Sequence, residues 1–261
     1  MTDDVMQFFR TFNFVWTVDR ARGLTGRASV QPGLCAPGTT TPRAGILAAY
    51  GDAAVGFPAG EAFARSTPTL DLSLHVFRTP SSPDFTLESR LVKIGRQATT
   101  GECWFTASGE DEPYALCVAT FFSVGDPRPE GWSAPDTSDP RFSPHARLDR
   151  PIEDEAGIVV RAPGTVELEL DDRVSNGTTI QGGIIALLVE RACETAVADH
   201  VVTGLDLRYL SIVRVGPARA VATPLRSDDR ESHFWVEVTD AGDGDRIVVH
   251  CLATARHRDR V

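Results

Sequence analysis

The chain has no CxxC pair, no basic leader, no long apolar run and no block of positive charge. Each absence excludes something. Cys35, Cys103, Cys117, Cys193 and Cys251 are scattered and odd in number, which supports neither a disulfide framework nor a zinc site and leaves them as small buried residues. The acidic start, Met1-Thr2-Asp3-Asp4, with no apolar stretch after it, reads as neither a signal peptide nor a membrane span, so the cytoplasm is the expected compartment. A net charge of -10 argues against a nucleic-acid partner or an anionic membrane surface, both of which need clustered Lys and Arg. The six histidines show no ligand spacing, so no metal is expected.

What is present is enough apolar residue, 42% of 261, to bury a large core or two smaller ones. An internal repeat decides for two. Thr40 to Ala54 aligns without gaps on Thr178 to Ala192, with six identities and Asp52 falling on Glu190. Further on, Leu70-Asp71-Leu72 aligns with Leu205-Asp206-Leu207. Between the repeats, Gly125 to Pro151 carries six prolines among Ser and Asp, a composition that cannot sustain a regular element. The expected organisation is therefore 1–125, a proline-rich linker 126–155, and 156–261.

Each half opens with a turn leading into an apolar helix, Ala44 to Phe57 and Gly182 to Ala198, and continues as alternating strands. In the first half these are Leu70–Phe77, Phe85–Ile94, Thr100–Ala107 and Ala115–Val124. In the second they are Leu205–Leu210, Ala218–Leu225, Ser232–Thr239 and Arg246–Ala255. A helix apolar on nearly every side must be wrapped by other structure, here a curved antiparallel sheet. The aromatic cluster Phe8, Phe9, Phe12, Phe14 and Trp16 reads as an N-terminal element packed on that core.

Thr179-Ile180-Gln181-Gly182-Gly183, followed by apolar residues and an acid at Glu190, resembles the signature of the PaaI-like acyl-CoA thioesterases. That signature is a Gly-Thr-x-His-Gly-Gly turn with a carboxylate nine residues after the His. Leu205 to Ser211, ending at Gly216-Pro217, resembles the strand that follows it. The resemblance implies an α+β double hotdog, two tandem domains each wrapping a curved antiparallel sheet round a central helix. It also implies hydrolysis of an acyl thioester, with coenzyme A entering only as part of the substrate, and possible pairing of two chains. Gln181 stands where the family has His, Arg43 and Ala44 stand where the first half would have His and Gly, and only Ser175 or Asn176 offers a counterpart for the family's upstream Asn.

Thioester hydrolysis requires a polarised carbonyl and a carboxylate that attacks it or activates water. The Gly182-Gly183 turn would expose backbone N–H groups at a helix N-terminus as an oxyanion hole. Asp52 is the only charged residue from Ala44 through Gly60, and a lone carboxylate in an apolar helix is costly unless it is paired or functional. Because the family shares sites between neighbouring domains, the resemblance implies one site of Gln181, Gly182 and Gly183 with Asp52 and the hydroxyl of Thr67 or Thr69. A second would combine Arg43, Ala44 and Gly45 with Glu190 and Thr203, with Glu190 either catalytic or on a solvated helix edge beside Arg191 and Glu194. Arg208, Arg214 and Arg219 are candidates to meet CoA phosphates. Two other readings stay open: a hydratase or dehydratase using His75 and Asp71, which share a strand face, and a non-catalytic protein that binds acyl-CoA or another apolar ligand.

Overall fold

A computed structural model describes residues 14–19, 23–127, 148, 150–175 and 179–258. Phe8, Phe9, Phe12, Asn176, His145 and most of the proline-rich stretch lie outside them. The first repeat contains β1 (Phe14–Asp19), β2 (Gly23–Ala28), helix α1 (Ala44–Phe63), β3 (Arg65–Ser66), β4 (Thr69–Val76), β5 (Phe85–Ile94), β6 (Ala98–Ala107), β7 (Ala115–Phe122) and β8 (Val124–Pro127). A short helix, α2 (Ile152–Ala156), precedes β9 (Val159–Ala162) and β10 (Thr165–Leu168). Then come helix α3 (Gly182–Ala196), β11 (His200–Tyr209), β12 (Ala218–Ser227), β13 (Glu231–Asp240) and β14 (Arg246–His257).

Twelve strands form one antiparallel sheet in the order β1-β2-β5-β6-β7-β4-β11-β14-β13-β12-β10-β9. Reading outward from the centre gives the same sequence of equivalent strands on both sides. The halves join where β4 pairs with β11, with Leu72 opposite Leu207 and Asp71 opposite Arg208. Leu72 is also the residue that aligns with Leu207 in the repeat, so a pseudo-twofold axis passes between these two side chains. Both are fully buried.

The alternation of buried and outward residues along β5, β6, β7 and β13 follows the period-two pattern of their sequences, with Phe85, Leu87, Phe105, Cys117, Phe234 and Val236 turned inward. That inner face wraps α1 and α3, whose residues are buried along most of their length. The two helices lie antiparallel against each other at their N-terminal ends. A methyl group on Gly45 would stand 2.5 Å from the Leu187 Cα, and one on Gly183 would stand 2.3 Å from the Ala49 Cβ. These are equivalent contacts about the same axis, and only glycine permits so close a crossing.

Helix α1 runs six residues past the expected end at Phe57, through Pro58. Proline removes one helical N–H and normally ends a helix. Here the carbonyl that Pro58 leaves without a helical donor, Ala54, accepts a 2.7 Å bond from the Ser89 hydroxyl on β5, so the helix continues. Helix α2 occupies part of the stretch read as linker, and the five cysteines are free and buried. Among the described residues no helix is long and apolar enough to cross a membrane.

Candidate active site

Asp52 lies on α1 facing the N-terminus of α3, only 9% exposed. Its Oδ1 accepts a 2.6 Å hydrogen bond from the Thr69 hydroxyl at the start of β4. Its Oδ2 accepts one of 3.3 Å from Gln181 Nε2. Burial pushes the Asp52 carboxyl up to about 6, and the Thr69 bond opposes that rise. Each half contributes: Asp52 and Thr69 come from the first repeat, Gln181 from the second.

Gln181 is the N-cap of α3, and its side-chain oxygen accepts from the Ile184 N–H at 3.1 Å. One amide thus closes the helix end with its oxygen and holds the carboxylate with its nitrogen. The next two N–H groups, of Gly182 and Gly183, have no acceptor among the described residues. They are first-turn donors at the positive end of the helix dipole. A methyl group on Gly182 would lie 3.5 Å from both Asp52 Oδ2 and the Tyr209 hydroxyl, which places the carboxylate directly over the glycine turn.

Of the two candidate threonines, only Thr69 reaches Asp52; Thr67 lies in the loop before β4 without a hydrogen bond to it. Tyr209 is the residue that sequence reasoning missed. It stands on β11, donates a 2.9 Å hydrogen bond to the Gly182 carbonyl, and is kept protonated by burial and by the neighbouring Asp52 charge. Its only sequence signal was its place in the Leu205 to Ser211 strand, where an aromatic reads as core.

The equivalent turn of the first repeat is closed. Glu190 is fully buried, which corrects the solvated-edge alternative, and its two oxygens accept from the Ala44 N–H at 3.1 Å and the Gly45 N–H at 2.8 Å. Those N–H groups correspond in the repeat to the open pair of Gly182 and Gly183. Glu190 is one methylene longer than Asp52, and it reaches across the helix crossing to cap both N–H groups. Burial raises its carboxyl to about 8 against the pull of the Arg43 guanidinium. Arg43 fills the remaining space, 1% exposed, with Glu153 at 2.5 Å, Glu194 at 2.8 Å and Glu190 at 3.9 Å. Thr203 is buried and makes no hydrogen bond to Glu190.

Among the arginines considered for phosphate contact, Arg219 is engaged by Glu167 at 2.8 Å and Asp245 at 3.2 Å, whereas Arg208 and Arg214 are exposed. His75 lies on the exposed face of β4 and pairs with Asp206 at 3.5 Å, away from the glycine turn. The described residues contain no group of three or more His, Cys, Asp or Glu side chains able to hold a metal ion.

No protein-family model matches the chain, and no curated protein matches it by sequence. Solved structures do. A protein of unknown function with a hot dog fold from Alicyclobacillus acidocaldarius is 14% identical, with a TM-score of 0.58 over 95% of this chain and 97% of that one. An acyl-CoA thioesterase II, TesB2, from Mycobacterium marinum is 12% identical, with a TM-score of 0.56 over 98% of both chains. The 12:0-ACP thioesterase from Umbellularia californica is 11% identical, with a TM-score of 0.63 over 89% of this chain and 93% of that one. At such identities the likeness establishes the fold, and the fold is a double hotdog.

Proposed function

We propose that the protein hydrolyses acyl thioesters, with acyl-CoA as the substrate class, at the one open turn. The carrying observation is the Asp52 carboxylate, held by Thr69 and Gln181 beside the Gly182–Gly183 turn, whose two first-turn N–H groups have no acceptor among the described residues. The thioesterases among the structural neighbours, and the resemblance to the PaaI-like signature, support the same reading.

In this reading Asp52 acts as general base. Both of its oxygens already carry a donor, which fixes the carboxylate in place. The Thr69 oxygen keeps a lone pair, and Gln181 Nε2 a second hydrogen, to orient a water beside it. Water loses a proton to Asp52 and attacks the thioester carbonyl carbon, and the oxyanion accepts hydrogen bonds from the Gly182 and Gly183 N–H groups. Collapse breaks the carbon–sulfur bond, and the proton held by Asp52 passes to the departing thiolate. The products are the carboxylic acid and the thiol.

The test is thiol release from acyl-CoAs of graded chain length by wild type, Asp52→Asn and Glu190→Gln. Loss of a general base lowers turnover by roughly 100-fold or more, so D52N should fall at least that far while E190Q retains turnover per folded molecule. Because the base must be ionised, kcat/KM should rise with pH through about 6 and level off above it. D52N turnover close to wild type would overturn the assignment.

A further inference from the structure

The peptide joining Gly182 to Gly183 carries one of the two open N–H groups on its nitrogen, and on its other side the carbonyl that Tyr209 grips at 2.9 Å. A hydrogen bond to a peptide oxygen withdraws electron density through the amide and makes the N–H of the same unit a stronger donor. It also fixes the plane of that unit. Glycine on both sides of a bond gives the backbone more freedom than any other pair, so a turn built of Gly182-Gly183 gains most from an external restraint.

We infer that Tyr209 is a positioning residue for the oxyanion hole: its hydroxyl orients and polarises the Gly182–Gly183 peptide so that the Gly183 N–H is presented to the carbonyl oxygen of the substrate. This rests on the hydrolase reading for its catalytic consequence and on geometry alone for its structural part.

The pseudo-twofold axis supplies an internal control. Tyr209 aligns in the repeat with Leu74, which has no hydroxyl to offer the Ala44–Gly45 peptide. The turn without such a donor is the one whose N–H groups are closed by Glu190, and the turn with it is the one whose N–H groups are open. Nor does its own ionisation interfere: burial and the Asp52 charge keep the phenol protonated and therefore a donor.

Tyr209→Phe keeps the ring and removes only the hydroxyl. Gly182-Gly183 is the sole Gly-Gly pair in the sequence, so protein labelled with carbonyl-13C glycine and 15N glycine gives a single carbonyl-to-amide correlation, belonging to this peptide. In Y209F that signal should move upfield in both the carbonyl carbon and the Gly183 amide proton, as expected when the carbonyl loses a donor. With the best acyl-CoA of the panel, kcat should fall about tenfold while KM stays close to wild type, as for an interaction of one neutral hydrogen bond felt mainly in the transition state. A signal that does not move overturns the inference, whatever the activity. A signal that moves while kcat is unchanged overturns the catalytic role. Absence of thiol release by wild type, with the signal still moving in Y209F, counts against the hydrolase reading and supports the orientation of the peptide by Tyr209.

Discussion

Asp52 is held in a state that opposes stability. Its folded carboxyl titrates near 6, above the ordinary value of 3.8, because burial disfavours the charge. The folded protein therefore binds the proton more tightly than the unfolded chain, and stability is lost as pH rises from about 4 through 6. A shift of this size corresponds to at most about 3 kcal/mol above pH 6. D52N, neutral throughout, should be more stable than wild type at pH 7 by about 1–3 kcal/mol, with the advantage shrinking to nothing near pH 4. Denaturant melts at the two pH values check this; a variant equally or less stable at pH 7 would contradict it. Asp52 was legible in the sequence because it is the only charged residue from Ala44 through Gly60. The choice of Thr69 over Thr67 was not, since it depends on which residue at the mouth of β4 points at the helix. The solvated-edge alternative for Glu190 came from Arg191 and Glu194, which give it polar neighbours in sequence, while in space its neighbours are backbone N–H groups and Arg43.

At the scale of elements, the strands with clean alternation were readable nearly to their ends. β5 was bounded correctly at Phe85 and Ile94, because Phe-Thr-Leu-Glu-Ser-Arg-Leu can present only one apolar face. β2, Gly-Leu-Thr-Gly-Arg-Ala, was not, because two glycines erase the pattern and the strand exists through its ladder to β5. The extension of α1 past Pro58 was hidden for a similar reason, since the hydroxyl that satisfies Ala54 comes from a residue 35 positions away. The helix crossing yields a prediction of its own. Gly183→Ala places a methyl group 2.3 Å from the Ala49 Cβ, and Gly45→Ala places one 2.5 Å from the Leu187 Cα, so each forces the helices apart. Overpacking of this kind costs about 1–3 kcal/mol or more. Both variants should show a lower thermal midpoint by calorimetry. G183A should also lose turnover, because the movement displaces the open N–H pair, while G45A should lose mainly stability.

For the molecule as a whole, the two repeats share one sheet through β4 and β11 and one helix crossing, and the candidate site takes side chains from both. Neither half can lose its packing without exposing the inner face of the other. Unfolding in urea should accordingly follow a single transition, with far-ultraviolet circular dichroism and tryptophan fluorescence coincident, since Trp104 reports on the first repeat and Trp235 on the second. Two separated transitions would show that the halves fold as independent units.

The axis between Leu72 and Leu207 has one more consequence. Were these repeats two copies of a single short chain, every substitution would appear twice, and lengthening Asp52 to glutamate to seal one turn would seal both. Joining the copies in one polypeptide removes that constraint. Each position can then change alone, so one turn can harden into a rivet that clamps the helix pair together while its twin keeps its N–H groups uncapped.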